Sequence, residues 1–247
     1  MRCLPQIRRI MLAMLTQEQL AYQLNLQRAI LARCGVEFVP RAAQRRLAVA
    51  APEVAPVALQ ATGRVELQQL AAVVQKCRKC PSLFATRTQT VFGGGPINPP
   101  VLFIADAPSS ADDATGLVLQ GDVGALFDRM LARMNLSRDA VYITTAIKCH
   151  PANGRQPKLE ECANCRVYLT EQLRWVQPKV ICCLGSAASQ SLLNTTANIT
   201  ELRSTVHQHE NTPVVCTLSL AYLLKNEPSR KLAWEDLQRV LALIAAS

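Results

Sequence analysis

Val141-Tyr-Ile-Thr-Thr-Ala-Ile-Lys-Cys149 is a short apolar run, rich in β-branched and aromatic residues, that ends on a cysteine. A continuous apolar run of this kind suits a strand buried on both faces of a parallel sheet. Three other runs share its texture: Val101-Leu-Phe-Ile-Ala105, Lys179-Val-Ile-Cys-Cys-Leu184 and Val214-Val-Cys-Thr-Leu218. Helical patterns fall near 122–135, 158–176, 186–195 and 228–245. Strand alternating with helix predicts an α/β fold of three α/β/α layers around a central, mainly parallel sheet. Ligands of such sheets sit beyond the carboxyl ends of the strands. Loops 106–124, 145–157, 185–188 and 219–228 are therefore the places to look for chemistry.

Cys149 is one of a set. Cys77-x-x-Cys80 precedes it, and Cys165 follows sixteen residues later on an amphipathic helical pattern. Four thiolates can hold a tetrahedral zinc or a cubane iron–sulfur cluster. Zinc usually takes two close pairs, whereas one pair plus two singletons on separate elements suits a cluster better. Unligated core thiols remain the plain alternative. The other six cysteines (Cys3, Cys34, Cys162, Cys182, Cys183 and Cys216) lie mostly in apolar runs, where a thiol packs as a small hydrophobe.

With 247 residues, 49% hydrophobic and 18% charged, the chain has material for one sizeable core and an appendage. No apolar run approaches the roughly 20 residues needed to span a bilayer. Ten cysteines without a clear signal peptide point to a reducing cytoplasm rather than to disulfides. The net charge of +9 is compatible with a nucleic-acid partner. Most of it is N-terminal: residues 1–64 hold nine arginines against Glu18, Glu37 and Glu53, or +6. A helix is expected over 16–34, with Thr16 as cap, Gln19 at the box position and Gly35 as stop. Its apolar stripe of Leu20, Leu24, Leu31 and Cys34 has no partner helix close by in sequence, and Phe38 follows in the tail after Gly35. The stripe reads either as packing on the main domain or as a docking surface for another protein. The expected layout is a basic docking segment at 1–46, an Ala/Pro-rich linker at 47–64 and the α/β domain at 65–247.

From about Val65 the chain resembles the family 4 uracil-DNA glycosylases, the iron–sulfur branch of that superfamily. The motifs are spread over about three-quarters of the chain. The resemblance begins with Cys77-x-x-Cys80-x-x-Leu83, Arg87 and Val91-Phe-Gly93. It continues through Val101-Leu-Phe-Ile-Ala-Asp-Ala-Pro108, Gly116, Gly121-Asp-Val-Gly124 and the opening run with His150-Pro151. Arg155-x-Pro157-x-x-Glu160-Glu161-x-x-x-Cys165, Gln172-Leu173, Pro178-Lys-Val-Ile181, Leu184-Gly185-x-x-Ala188 and Leu192-Leu193 follow. Ala221-Tyr-Leu-Leu-Lys225 and Trp234-Glu-Asp-Leu237 close it. The resemblance implies a glycosylase-like fold with a 4Fe-4S cluster on Cys77, Cys80, Cys149 and Cys165, and Cys162 packed one turn before the last ligand.

The resemblance also implies a site in which four positions have changed. The family's water-orienting glutamate is here Asp106, one methylene shorter. Its stacking phenylalanine is Leu119, which has no π face. Its uracil-reading asparagine is Thr145, which lacks the paired donor and acceptor of an amide. The first residue of its His-Pro pair is Ser219, which cannot carry charge. His150 and Lys225 lie on pocket-side loops, where a loop histidine and a surface lysine are also unremarkable. The expectation is a glycosylase-fold protein of DNA replication or repair that has lost uracil excision and serves as an accessory factor. Its N-terminal segment resembles weakly the psi subunit of the bacterial DNA polymerase III clamp loader, which implies a clamp-loader or other replication partner. The alternative is an active uracil-DNA glycosylase with a rebuilt site, acting on DNA in base excision repair.

Overall fold

The structure is a computed structural model that describes residues 56–246. The docking residues Leu20, Leu24, Leu31 and Phe38 lie outside the described residues. Helix α1 (Pro56–Gln75) and α2 (Pro81–Thr86) come first, followed by β1 (Val101–Ala105), α3 (Ser110–Thr115) and α4 (Gly121–Arg133). Next are β2 (Tyr142–Thr145), α5 (Leu159–Val176), β3 (Val180–Leu184), α6 (Ser186–Leu193) and α7 (Ile199–Leu202). Strands β4 (Val206–His209) and β5 (Thr212–Thr217), then α8 (Leu220–Lys225) and α9 (Arg230–Ala246), complete the unit.

The five strands run in the order β2-β1-β3-β5-β4. Pairing is parallel except for the hairpin partner β4, which runs antiparallel to β5 at one edge. The four apolar runs are the four parallel strands. Strand β4 escapes a reading based on apolar runs because only alternate residues are shielded. Helix α1 starts at Pro56, inside the stretch 47–64 expected to be a linker. Ala, Gln and Leu in 56–64 are helix formers, and that propensity outweighs the Ala/Pro texture. Gly63 within it packs against the backbone of Trp175 in α5.

Alternate strand residues face opposite layers, as a period of two requires. Val101, Phe103, Ile143, Cys182 and Val215 pack against Phe127, Leu131, Leu237 and Val240 on one side. Leu102, Ile104, Tyr142, Cys183 and Cys216 pack against Leu67, Leu169, Leu173 and Leu192 on the other. Each buried side chain of this size contributes about 1.5–3 kcal/mol by leaving water. Cys162, Cys182, Cys183 and Cys216 are buried free thiols, in line with the small-hydrophobe reading. None of the described helices is long and apolar enough to cross a membrane.

Strand β2 is an edge strand, and the segment around Gly93–Gly94 lies across it. Gly94 and Ile143 exchange both backbone hydrogen bonds, at 3.0 and 2.9 Å. Gly93 has φ +99°, and a Cβ there would stand 2.4 Å from the Ile143 carbonyl oxygen. A side chain is excluded twice, by conformation and by the closeness of β2. We expect Gly93→Ala to lose roughly 2 kcal/mol or more in urea unfolding, while Gly94→Ala, whose Cβ meets nothing within 4 Å, loses far less. Equal losses at the two positions would refute this account of the strap.

Candidate active site and cysteine cage

The carboxyl ends of β1, β3 and β5 open into a cavity of about 540 Å3. Its wall includes Asp106, Pro108, Asp112, Leu119, His150, Arg155, Leu184 and Ser219. A larger groove of about 810 Å3 runs along the glycine strap past Arg64, Leu117 and Arg138. That groove has no buried acid and no histidine, and it lies along the β2 edge. The smaller cavity stands where α/β sheets bind ligands.

Asp106 follows the last residue of β1. The residue as a whole is half-buried, but its carboxyl lies deep and accepts a hydrogen bond from the Ala188 N–H at 2.8 Å. That amide belongs to the first turn of α6, where backbone N–H groups lack helical partners. Burial pushes the Asp106 carboxyl up from 3.8 to about 6, opposed in part by the amides of Ala188 and Ala187. Gly185 lets the helix come this near. Its φ is +124°, and a Cβ there would stand 2.1 Å from Asp106 Oδ2.

The other changed positions are placed unequally. Leu119 lines the cavity in a left-handed conformation (φ +55°), its carbonyl held by Arg138 Nη2 at 2.7 Å. Ser219 lines it too, but its hydroxyl accepts from the Tyr222 N–H as the cap of α8. Thr145 is fully buried and absent from the cavity wall, with no hydrogen-bond partner for its hydroxyl among the described residues. Lys225 is not a wall residue either.

Several supporting residues were not assigned a role by sequence reasoning. Asp112 accepts from the N–H groups of Ser109 and Gln120, at 3.0 and 2.7 Å, and so holds the wall between β1 and α4. Its position three residues after Ser109 is a capping-box signal, and that signal was available in the sequence. Arg155 grips Glu161 through both guanidinium nitrogens, at 2.8 and 2.6 Å, tying loop 150–157 to the start of α5. Arg155 holds the Glu161 carboxyl below the usual range.

The four expected cluster cysteines come from three places: the Cys77–Cys80 knuckle, the segment after β2, and α5. Cys80, Cys149 and Cys165 share one packed group with Leu83, Ile147 and Ala187, and Cys162 joins it. Three sulfurs of the set face a donor. Arg87 Nη1 lies 3.0 Å from Cys149 Sγ and the Lys148 N–H 3.3 Å from Cys165 Sγ. Asn164 Nδ2 lies 3.7 Å from Cys80 Sγ. Arg87 also donates to the Cys77 carbonyl at 2.8 Å, which ties the knuckle to Cys149. No three of the described His, Cys, Asp or Glu side chains are gathered tightly enough to chelate a single ion. Cysteine sulfurs that face hydrogen-bond donors are a donor set that an iron–sulfur cluster takes.

Two outcomes follow. Replacing Cys149 or Cys165 with Ser is expected to abolish iron retention and its visible absorbance in anaerobically prepared protein, whereas Cys162→Ser keeps both. Equal bleaching at Cys162 would move the fourth ligand. For Asp106, the native state holds a proton that the unfolded chain has released between about pH 4 and 6, so this group's contribution to stability falls as pH rises through that window. The difference in unfolding free energy between wild type and Asp106→Asn should change by roughly 2–3 kcal/mol from pH 4 to pH 7, in favour of the variant. A pH-independent difference would show that the carboxyl is not buried as described.

Comparison with known proteins agrees with this geometry. Residues 92–238 match the model of the uracil DNA glycosylase superfamily. The Type-4 uracil-DNA glycosylase of Archaeoglobus fulgidus is 39% identical over 128 residues, which is 52% of this chain and 64% of that protein. The Type-4 uracil-DNA glycosylase of Thermotoga maritima is 31% identical over 186 residues, 73% of this chain and 96% of that protein. The Type-4 enzyme of Sulfurisphaera tokodaii is 30% identical over 186 residues, covering 72% of this chain and 84% of the relative. With the sheet order, the strand-end cavity and the matched span in agreement, the chain belongs to the uracil DNA glycosylase superfamily.

Proposed function

We propose that this protein acts in DNA repair as a uracil-DNA glycosylase with a rebuilt site. The observation that carries the reading is the deep carboxyl of Asp106 at the floor of a strand-end cavity in a chain of this superfamily. A uracil extruded from the stack enters the cavity against the apolar wall of Leu119 and Leu184. Asp106 orients a water toward C1′ of the sugar. The C1′–N1 bond breaks, water oxygen bonds C1′, and uracil departs with the bonding electrons before taking up a proton. Net positive charge aids capture of the phosphate backbone.

Cys77, Cys80, Cys149 and Cys165 would hold a 4Fe-4S cluster, whose contribution when bound is a bonded tie between three chain segments. Arg87 and Asn164 supply donors to its sulfurs.

Turnover is expected to be slow. Removing one anion-stabilising donor lowers a rate by about 10²–10³, and Ser219 is committed to capping α8. The same commitment, together with the sealed Thr145, supports a second reading. In it the fold is kept for binding and the protein serves as an accessory factor of replication or repair, docking through residues 15–41. The relatives named above are glycosylases, which favours the first reading.

A single-turnover assay with enzyme in excess over uracil-containing single- and double-stranded DNA separates the two. The first reading expects slow uracil release that Asp106→Asn abolishes. Absence of release under all enzyme excesses would overturn it. The second would then require that the full chain capture replication proteins and that Leu24→Asp with Leu31→Asp prevent this.

A further inference from the structure

On the reading that the cavity receives an extruded base, we propose that His150 reads the imide N3–H of that base, the task for which Thr145 is unsuited. Thr145 is fully buried and is not part of the wall, whereas His150 is half-buried and forms part of it. His150 Nδ1 lies 2.8 Å from the carbonyl oxygen of Pro108. A carbonyl can only accept, so at this contact Nδ1 carries the hydrogen, and Nε2 is left as the ring position that can accept, as the imidazole tautomer with Nδ1–H does.

The ring is held on both sides. Pro108 is buried at the head of the loop that Asp112 staples. Pro151, also buried, restricts the backbone of His150 to extended conformations. Several other polar groups on the wall already have protein partners: Asp112 holds Ser109 and Gln120, Ser219 caps Tyr222, and Arg155 grips Glu161. An acceptor fixed in this way has a definite chemical preference. Uracil presents N3–H as a donor between two carbonyl oxygens. Cytosine presents N3 as a lone pair, which an Nε2 lone pair repels. The substrate class is therefore a pyrimidine with an imide N–H, selected by one hydrogen bond from the wall residue His150.

The test is equilibrium binding of the full-length, iron-loaded protein to otherwise identical DNA strands. These carry 2′-fluoro-deoxyuridine, which resists excision, its N3-methyl derivative, or 2′-fluoro-deoxycytidine. Wild type is expected to prefer uracil by about tenfold or more over both others, the scale set by leaving a buried donor or acceptor unmatched. His150→Phe keeps the ring shape but loses the acceptor, and should bind all three within about twofold at unchanged iron content and melting temperature. His150→Asn, whose amide carbonyl retains an acceptor, should recover part of the preference.

If wild type prefers uracil and His150→Phe prefers it equally, the inference falls and the proposed function stands. If wild type binds the three strands alike, both fall. Should His150→Phe fail to fold, the wild-type comparison of uracil with N3-methyluracil still decides, since equal binding of that pair removes the N3–H contact.

Discussion

The hydrogen bond from Ala188 to Asp106 joins the end of β1 to the start of α6, and the cavity exists because of it. Strands β1 and β3 stay paired to their last residues, Ala105 and Leu184, and the turn at Gly185 then brings the helix back beside Asp106. The Gly185 N–H is itself held by the Thr217 carbonyl at 3.0 Å, so β5 takes part in the same closure. One acid, one glycine and two helix amides thus fix the floor on which every other wall residue stands. Removing the acid frees a helix end, and adding a Cβ at the glycine pushes the helix away.

The segment from β2 to loop 150–157 carries an unusual density of duties. Thr144 Oγ1 donates to the Phe92 carbonyl, and Lys148 Nζ donates to Thr144 Oγ1 at 2.6 Å and to the Thr145 carbonyl at 2.7 Å. Lys148 is fully buried, and burial pulls its ammonium down to about 7, with the nearby Cys165 opposing that shift. The next two residues are a cage cysteine and a cavity histidine. A shift of this strand by one residue would therefore misplace the polar network, the sulfur and the imidazole together, and its register is held by four partners on β1.

The fold was legible where the physics is local. Four apolar runs and the helical periods between them predicted the parallel sheet, because burial on both faces leaves an unbroken hydrophobic signature. Short elements such as α3, α7 and α8, with four to six residues each, carry too few periods to be seen. The site was half legible. Asp106 and Ser219 were placed by motif, and Leu119 by its neighbours. The burial of Thr145 was not, since which face of a strand end opens to a cavity depends on the packing of the next loop. Nor did the sequence show that a carbonyl from residue 108 would fix the imidazole of residue 150. That contact spans forty-two positions and exists only once both loops are in place.

The glycine strap also bears on how the sheet meets other chains. An edge strand ordinarily offers a row of free amides and carbonyls, a template on which a second molecule can extend the sheet. On β2 the central residue, Ile143, has already given both groups to Gly94. At the opposite edge β4 is four residues long and carries His207 and His209 among polar neighbours. The sheet is therefore blunted at both ends, by a backbone cover on one side and by brevity and polarity on the other. Gly93, which looks like mere turn material, thus helps keep copies of this protein from zippering together.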